Sequence, residues 1–236
     1  MSVRMESMLT FIDELGLATG STVVDAGCGP GYLASQLARR KFRVLALDTS
    51  RAMVERARRR LADSGGVVAF QVGSVECLPY RDASVDLLCC AGVLEYLRAD
   101  QPTLDEIRRV LRPGGHALLS VTNAWSPVGY LDFAVEAGKR LPWLVRVFDR
   151  TNPRHPVRPR HFQVRRHRPA RFLRSITQAG LDPVREAPFY LLPWPHPFDR
   201  LFPRATARFN RRLEQHAGRF LGRIAEGHLV LARRPL

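Results

Sequence analysis

Val23-Val24-Asp25-Ala26-Gly27-Cys28-Gly29-Pro30-Gly31-Tyr32-Leu33-Ala34 is the stretch on which the fold turns. Two β-branched residues and an acid read as the end of a buried strand, and three glycines at alternate positions then lead into a helical pattern. Glycine lets the backbone turn left-handed and bring its N–H groups close to a ligand at a helix N-terminus. A dinucleotide fingerprint is G-x-G-x-x-G, with a pyrophosphate on the helix end. Here the pattern is G-x-G-x-G, and Tyr32 takes the place of the last dinucleotide glycine. Asp25, two residues before the first glycine, suits a ligand with an ammonium and hydroxyls better than one with phosphates. A turn that only reverses the chain is the competing reading, and the downstream segments decide between them.

Phe42 to Leu47 is a second apolar run, and it ends in Asp48, 17 residues beyond Gly31. That is near the offset at which nucleotide folds set an acid against ribose hydroxyls. Asp48-Thr49-Ser50-Arg51-Ala52-Met53 then starts a helix with a cap-type residue and a thioether one turn later. Val67 to Val72 alternates as a strand and runs into Gly73-Ser74-Val75-Glu76-Cys77-Leu78-Pro79-Tyr80. Val85 to Leu97 reads as a buried strand with a following loop. Leu104 to Ser120 reads as an amphipathic helix, a Pro113-Gly114-Gly115 turn and a fifth strand.

These landmarks, in this order across residues 20 to 122, resemble the class I S-adenosylmethionine (SAM) dependent methyltransferases. The resemblance implies a Rossmann-like α/β fold, with a seven-stranded, mostly parallel sheet and helices on both faces. Gly227 to Arg233 would be the last strand, running antiparallel, and Leu181 to Pro188 the penultimate one. It also implies SAM as cofactor and S-adenosylhomocysteine as product. The implied binding set is Asp25, Gly27, Cys28, Gly29, Gly31, Asp48, Thr49, Met53, Ser74, Val75 and Ala91. Met53 would pack on the adenine face, or equally be a plain core residue. Ser74 departs from the family, whose G-D-A-x-x-L-P-F loop has an acid there; its hydroxyl can accept from the adenine amino group only without charge assistance.

A chain of 236 residues with 45% hydrophobic content reads as a single domain over 1–236. Its parts are a cofactor half at 20–122, a lid insertion at 123–168 and a sheet-completing part at 169–236. No apolar run reaches the roughly 18 residues that span a bilayer, and no signal-type h-region is visible. The expectation is a cytoplasmic protein with peripheral contact to an anionic membrane. Cys28, Cys77, Cys89 and Cys90 lack zinc-site spacing and read as reduced, buried thiols; no metal site is expected.

Charge is uneven. Residues 1–122 are net +1, whereas residues 123–236 are net +14, with nine arginines, three histidines and no acid between Arg150 and Arg174. Such a run is either a solvated face or a site for an anionic partner. Large apolar groups lie beside basic ones in Tyr130 to Phe148, and a second aromatic segment spans Phe189 to Phe198. His161 to Pro169 is similar to the His-containing stretch of ubiquinone-biosynthesis O-methyltransferases, which implies a hydrophobic, phenolic or lipid-like acceptor. Methyl transfer from a sulfonium needs positioning above all, with a base of near-neutral pKa helping an oxygen acceptor. His161 is the candidate base, His155 and His167 are the alternatives, and Glu95 is expected to orient its loop. The competing enzyme class is nucleic-acid methylation by the basic half, but no Asp/Asn-Pro-Pro-Tyr/Phe or Pro-Cys follows the fourth strand. A non-catalytic SAM-binding subunit is the third reading.

Overall fold

The computed structural model describes residues 3–62, 65–127, 164–189 and 225–236. Its elements run α1 (Val3–Glu14), β1 (Thr22–Ala26), α2 (Tyr32–Arg39), β2 (Arg43–Asp48), α3 (Arg51–Leu61), β3 (Val68–Val72) and β4 (Val85–Ala91). A 3-10 turn follows at Leu94–Tyr96, then α4 (Gln101–Val110), β5 (Leu111–Thr122), α5 (Pro169–Gln178), β6 (Asp182–Phe189) and β7 (Gly227–Arg233).

The strands make one sheet in the order β3-β2-β1-β4-β5-β7-β6. The first five are parallel, and β7 runs antiparallel between β5 and β6. The expected seven-stranded sheet is therefore present, with both terminal strands where the sequence put them. From β1 the chain winds outward through β2 and β3, then returns to β4 on the other side. That reversal opens a crevice at the carboxyl ends of β1 and β4, where open α/β sheets bind ligands.

Burial explains the order. β4 reads Val-Asp-Leu-Leu-Cys-Cys-Ala and is buried from Val85 through Cys90, the near-continuous pattern of a strand covered on both faces. The edge strands are less covered: β3 exposes three of its five residues and β6 four of its eight. On one face α1 contributes Met8, Phe11 and Ile12, α2 contributes Leu33 and Leu37, and α3 contributes Leu61, packed on Val44, Leu87, Leu118 and Leu229. On the other, Leu104 and Ile107 of α4 and Phe172 and Ile176 of α5 cover Leu47, Leu88, Leu119 and Val230. In each helix the buried residues recur at three- and four-residue spacing, so one stripe faces the sheet.

One expectation changes in detail. Pro113-Gly114-Gly115 lies within β5 and does not precede it: Leu111 pairs with Val85, and the ladder resumes at His116 opposite Leu87. Gly114 takes φ +77, which lets the extra residues loop out without ending the strand.

Two polar anchors brace the sheet and the loop after β3. At the amino end, Asp86 accepts the Thr22 N–H at 2.6 Å and pairs with Arg112. In the last turn of α4, Arg109 donates to Glu106 at 2.7 and 2.8 Å, to Asp82, and to the carbonyls of Leu78 and Tyr80. Glu106 in turn accepts the Leu78 N–H, so the loop after β3 is held beside the crevice. Among the described residues no helix is long and apolar enough to cross a membrane, and no cluster of metal-ligating side chains occurs. Most of the 123–168 insertion and of the aromatic segment at 189–198 lies outside the described residues.

Candidate active site

The glycine-rich loop hangs from the end of β2. Gly27 and Cys28 both donate to the Leu47 carbonyl, at 2.7 and 2.9 Å, and Gly29 N–H donates to Asp48 Oδ2 at 2.9 Å. The other Asp48 oxygen accepts Ser50 N–H at 2.8 Å, and the Ser50 hydroxyl caps α3 by accepting from Met53. Each carboxylate oxygen thus keeps a lone pair free for a hydroxyl. All three glycines have positive φ, for separate reasons. A Cβ on Gly27 would stand 2.1 Å from Val93 Cγ2, and one on Gly31 would press on Ala57 and Leu61 of α3. Gly29 faces open space. The crowded glycines shape the loop, and the uncrowded one leaves room beside it.

Asp25 stands near the end of β1, 4% exposed, and its Oδ2 has no hydrogen-bond partner among the described residues. Burial raises its pKa to about 7, against the pull of the Ala34 N–H and with a small push from Asp48. A buried carboxylate with one oxygen left without a donor is costly unless something pairs with it. Cys28 is buried and its thiol is raised to about 12, chiefly by burial, which makes it inert. Tyr80, half-buried on the neighbouring loop, is also raised to about 12, by burial and then by the charges of Cys28 and Asp25.

The remaining residues of the expected binding set lie around the same edge. Asp48 and exposed Thr49 end β2, half-buried Met53 is on the first turn of α3, and Ser74 and buried Val75 follow β3. The Ser74 hydroxyl accepts the Glu76 N–H at 3.2 Å. Ala91 ends β4, and the next residue, Gly92, donates its N–H to the Ser120 hydroxyl of β5. Glu95 is buried with Oε2 unpartnered, and burial raises its carboxyl despite its own amide, Arg4, His167 and Thr122.

Arg4 was not legible as a site residue. α1 lays its first turn across the sheet edge, so that the Arg4 guanidinium comes within 3.1 Å of where a Cβ on Gly92 would stand, with the Glu95 carboxylate nearby. The signal was the Met8, Phe11, Ile12 spacing, which marks α1 as a packed helix.

Of the candidate bases, His161 and His155 lie outside the described residues. His167 is among the described residues. It is buried against Phe172, its Nε2 lies 3.0 Å from Asp100, and its backbone bonds Thr122 and Ala124. Arg165 joins the same carboxylate and donates to the carbonyls of Leu94 and Arg98. Burial pushes the Asp100 carboxyl up, but His167 and Arg165 together hold it below the usual range. His167 therefore latches residues 164–168 to the loop after β4. The cysteine expectation is corrected in part, since Cys77 is exposed.

Comparison with known proteins agrees with this geometry, for residues 24–119 match the family model of a methyltransferase domain. Over these residues the chain is similar to a SAM-dependent methyltransferase domain. The ubiquinone biosynthesis O-methyltransferase of Hahella chejuensis is 33% identical over 128 residues, 54% of this chain and 53% of that protein. The chain spans about half the length of the curated relatives it matches. A SAM-dependent methyltransferase of Methanosarcina mazei shares the fold, with TM-score 0.66 and 16% identity over 95% of this chain and 97% of that one. So does a geranyl diphosphate C-methyltransferase of Streptomyces coelicolor, solved with S-adenosylhomocysteine, with TM-score 0.61 and 19% identity over 97% of this chain and 80% of that one. The match to the methyltransferase domain ends at residue 119, three residues before the end of β5.

Proposed function

We propose that this chain is an enzyme that binds SAM at the carboxyl edge of β1, β2 and β4 and transfers its methyl group to a small-molecule acceptor. The observation that carries the reading is Asp25, a buried carboxylate with an orphan oxygen, close enough to Asp48 and to Cys28 of the glycine loop to feel their charge. An ammonium is the donor that such a group lacks. The Asp48 lone pairs fit two ribose hydroxyls, Met53 offers a polarisable face to adenine, and Ser74 offers an acceptor to its amino group. Arg4, beside Gly92 and Glu95, is placed to draw an anionic group toward the same edge.

Bound SAM supplies a methyl group on an already activated sulfonium. The chain binds and orients it through the glycine loop and Asp48, and keeps the β4 edge in place through the Gly92–Ser120 bond and the Asp100 latch. Positioning of this kind supplies a large part of the barrier reduction in a displacement.

We infer that the reaction is O-methylation of a hydrophobic, phenolic or lipid-like compound, with His161 taking the acceptor proton. The support is the His161–Pro169 pattern, the similarity to a ubiquinone-biosynthesis O-methyltransferase and the net charge of +14 in residues 123–236, which favours acidic or membrane-associated acceptors. Calorimetric titration with SAM and S-adenosylhomocysteine tests the first step. Turnover against phenolic, prenylated, diphosphate-bearing and phospholipid acceptors tests the second, with His161→Ala expected to slow an oxygen acceptor by about 10²-fold. Methylated tRNA with no small-molecule turnover would overturn the acceptor reading. Cofactor binding without turnover of any acceptor would favour a non-catalytic subunit.

A further inference from the structure

We propose that Arg60 is a positioning residue for the glycine-rich loop, gripping it from α3 at residues 30 and 32 and thereby setting cofactor affinity; this rests on the reading that the loop binds SAM. Three contacts from α3 converge on residues 30–32. Arg60 Nε donates to the Pro30 carbonyl at 2.8 Å. The same guanidinium lies 3.9 Å from the centre of the Tyr32 ring. Between them Gly31 is seated against Ala57 and Leu61, with no room for a side chain.

The loop needs an outer grip because its own means are weak. Gly31 is the N-cap of α2 and has no side chain to bond the free N–H groups of the first turn. Residues 27, 29 and 31 all have positive φ, and glycine loses more freedom on ordering than other residues. On the inner side, Leu47 and Asp48 hold the N–H groups of residues 27 to 29. Those bonds stop short of Pro30, which has no N–H to contribute.

The position of the cation is itself informative. A helix N-terminus favours negative charge, so an arginine beside the start of α2 is unfavourable on dipole grounds alone. Its carbonyl and ring contacts offset that. They also account for an aromatic residue at Tyr32, 57% exposed, where no core requires one. Arg59, one residue earlier, is exposed and pairs with Glu55 on its own helix. It is the natural control, carrying the same charge at the same height without the grip.

S-adenosylhomocysteine titrated into the full chain reads the effect without any acceptor. One hydrogen bond and one exposed cation–π contact lead us to expect Arg60→Ala to weaken binding about three- to tenfold. Tyr32→Ala, which leaves the Pro30 bond in place, should weaken it by a smaller factor, about two- to threefold, Tyr32→Phe should leave it unchanged, and Arg60→Lys should recover part of the loss. The Arg60→Ala, Tyr32→Ala double variant should bind no more than about twofold weaker than Arg60→Ala, since the two residues form one contact. Amide exchange should quicken at residues 29–33 in Arg60→Ala and not elsewhere. Unchanged affinity in Arg60→Ala, an equal loss in Arg59→Ala, or losses at positions 60 and 32 that simply multiply would each overturn the proposal. If Arg60→Ala does not fold, Arg60→Lys and Tyr32→Ala carry the same test. Failure of the unaltered chain to bind S-adenosylhomocysteine would instead overturn the cofactor reading beneath it.

Discussion

Two aspartates sit at opposite ends of the sheet, buried to much the same degree and furnished very differently. Asp86, at the amino end, uses both oxygens, one on the Thr22 N–H and one on Arg112. Asp25, at the carboxyl end, leaves an oxygen without a donor and holds its proton up to about pH 7. A satisfied buried charge is part of the frame, whereas an unsatisfied one imposes a cost that persists only where a ligand or a function offsets it. Glu95, also at the carboxyl end, repeats the second pattern. The two ends thus separate stability from binding, and each can be altered alone.

The largest expected effect is at Asp48, which serves the loop and the ligand together. Asp48→Ala removes the acceptor for Gly29 and for two hydroxyls, and should weaken S-adenosylhomocysteine by about 10² or more, read by calorimetry. Asp86→Ala should do the reverse. It leaves the Thr22 N–H without its partner, costs about 1–3 kcal/mol in denaturant unfolding, and leaves affinity unchanged. A loss of affinity there would break the separation.

Asp25→Asn sharpens the contrast through pH. The folded carboxyl titrates near 7 and an unfolded one near 4, so between those values the folded chain holds a proton that the unfolded chain has released. The stability penalty therefore grows as pH rises through that window and is complete above about 7. Asn, which cannot ionise, should make the protein more stable than its parent at pH 8 and no more stable at pH 4. Cofactor affinity runs the other way: an ammonium ligand needs the carboxylate, so binding to the parent should weaken by up to about tenfold per unit below pH 7, and the variant should lose that dependence. Calorimetry in buffers of different ionisation enthalpy would show proton release on binding near pH 7. A smaller effect on stability is expected at Gly29→Ala, which meets no described atom of the chain and adds only the strain of φ +51, about 1–2 kcal/mol in denaturant unfolding, while its Cβ enters the space proposed for the cofactor and should weaken S-adenosylhomocysteine in calorimetry.

Legibility in the sequence followed chain distance. The glycine loop, Asp48, Ser74 and the strand alternation are local patterns, and each lies at the carboxyl edge as read. The antiparallel last strand was legible through the family resemblance. The Asp100, Arg165 and His167 latch was not, because its members stand 65 and 67 residues apart and only folding brings them together. Averaging charge over residues 1–122 gave a neutral half, yet residues 51–60 alone carry five arginines against one acid. The grip of Arg60 lay hidden in that average, for a basic run on a helix carries no sign of which member turns inward.

The place of β7 also bears on how the sheet is made. β5 ends at residue 122 and β6 at 189, but the strand that joins them begins only at Gly227. During synthesis β5 presents a bare edge for roughly a hundred residues of elongation, several seconds at ordinary translation rates. β6 then emerges with no neighbour at all. The parallel part of the sheet can form early, with its ligand edge, while the last two strands must wait and dock together. A nascent chain paused in that interval would hold a nearly complete cofactor crevice beside an open flank, the flank that a chaperone would have to guard.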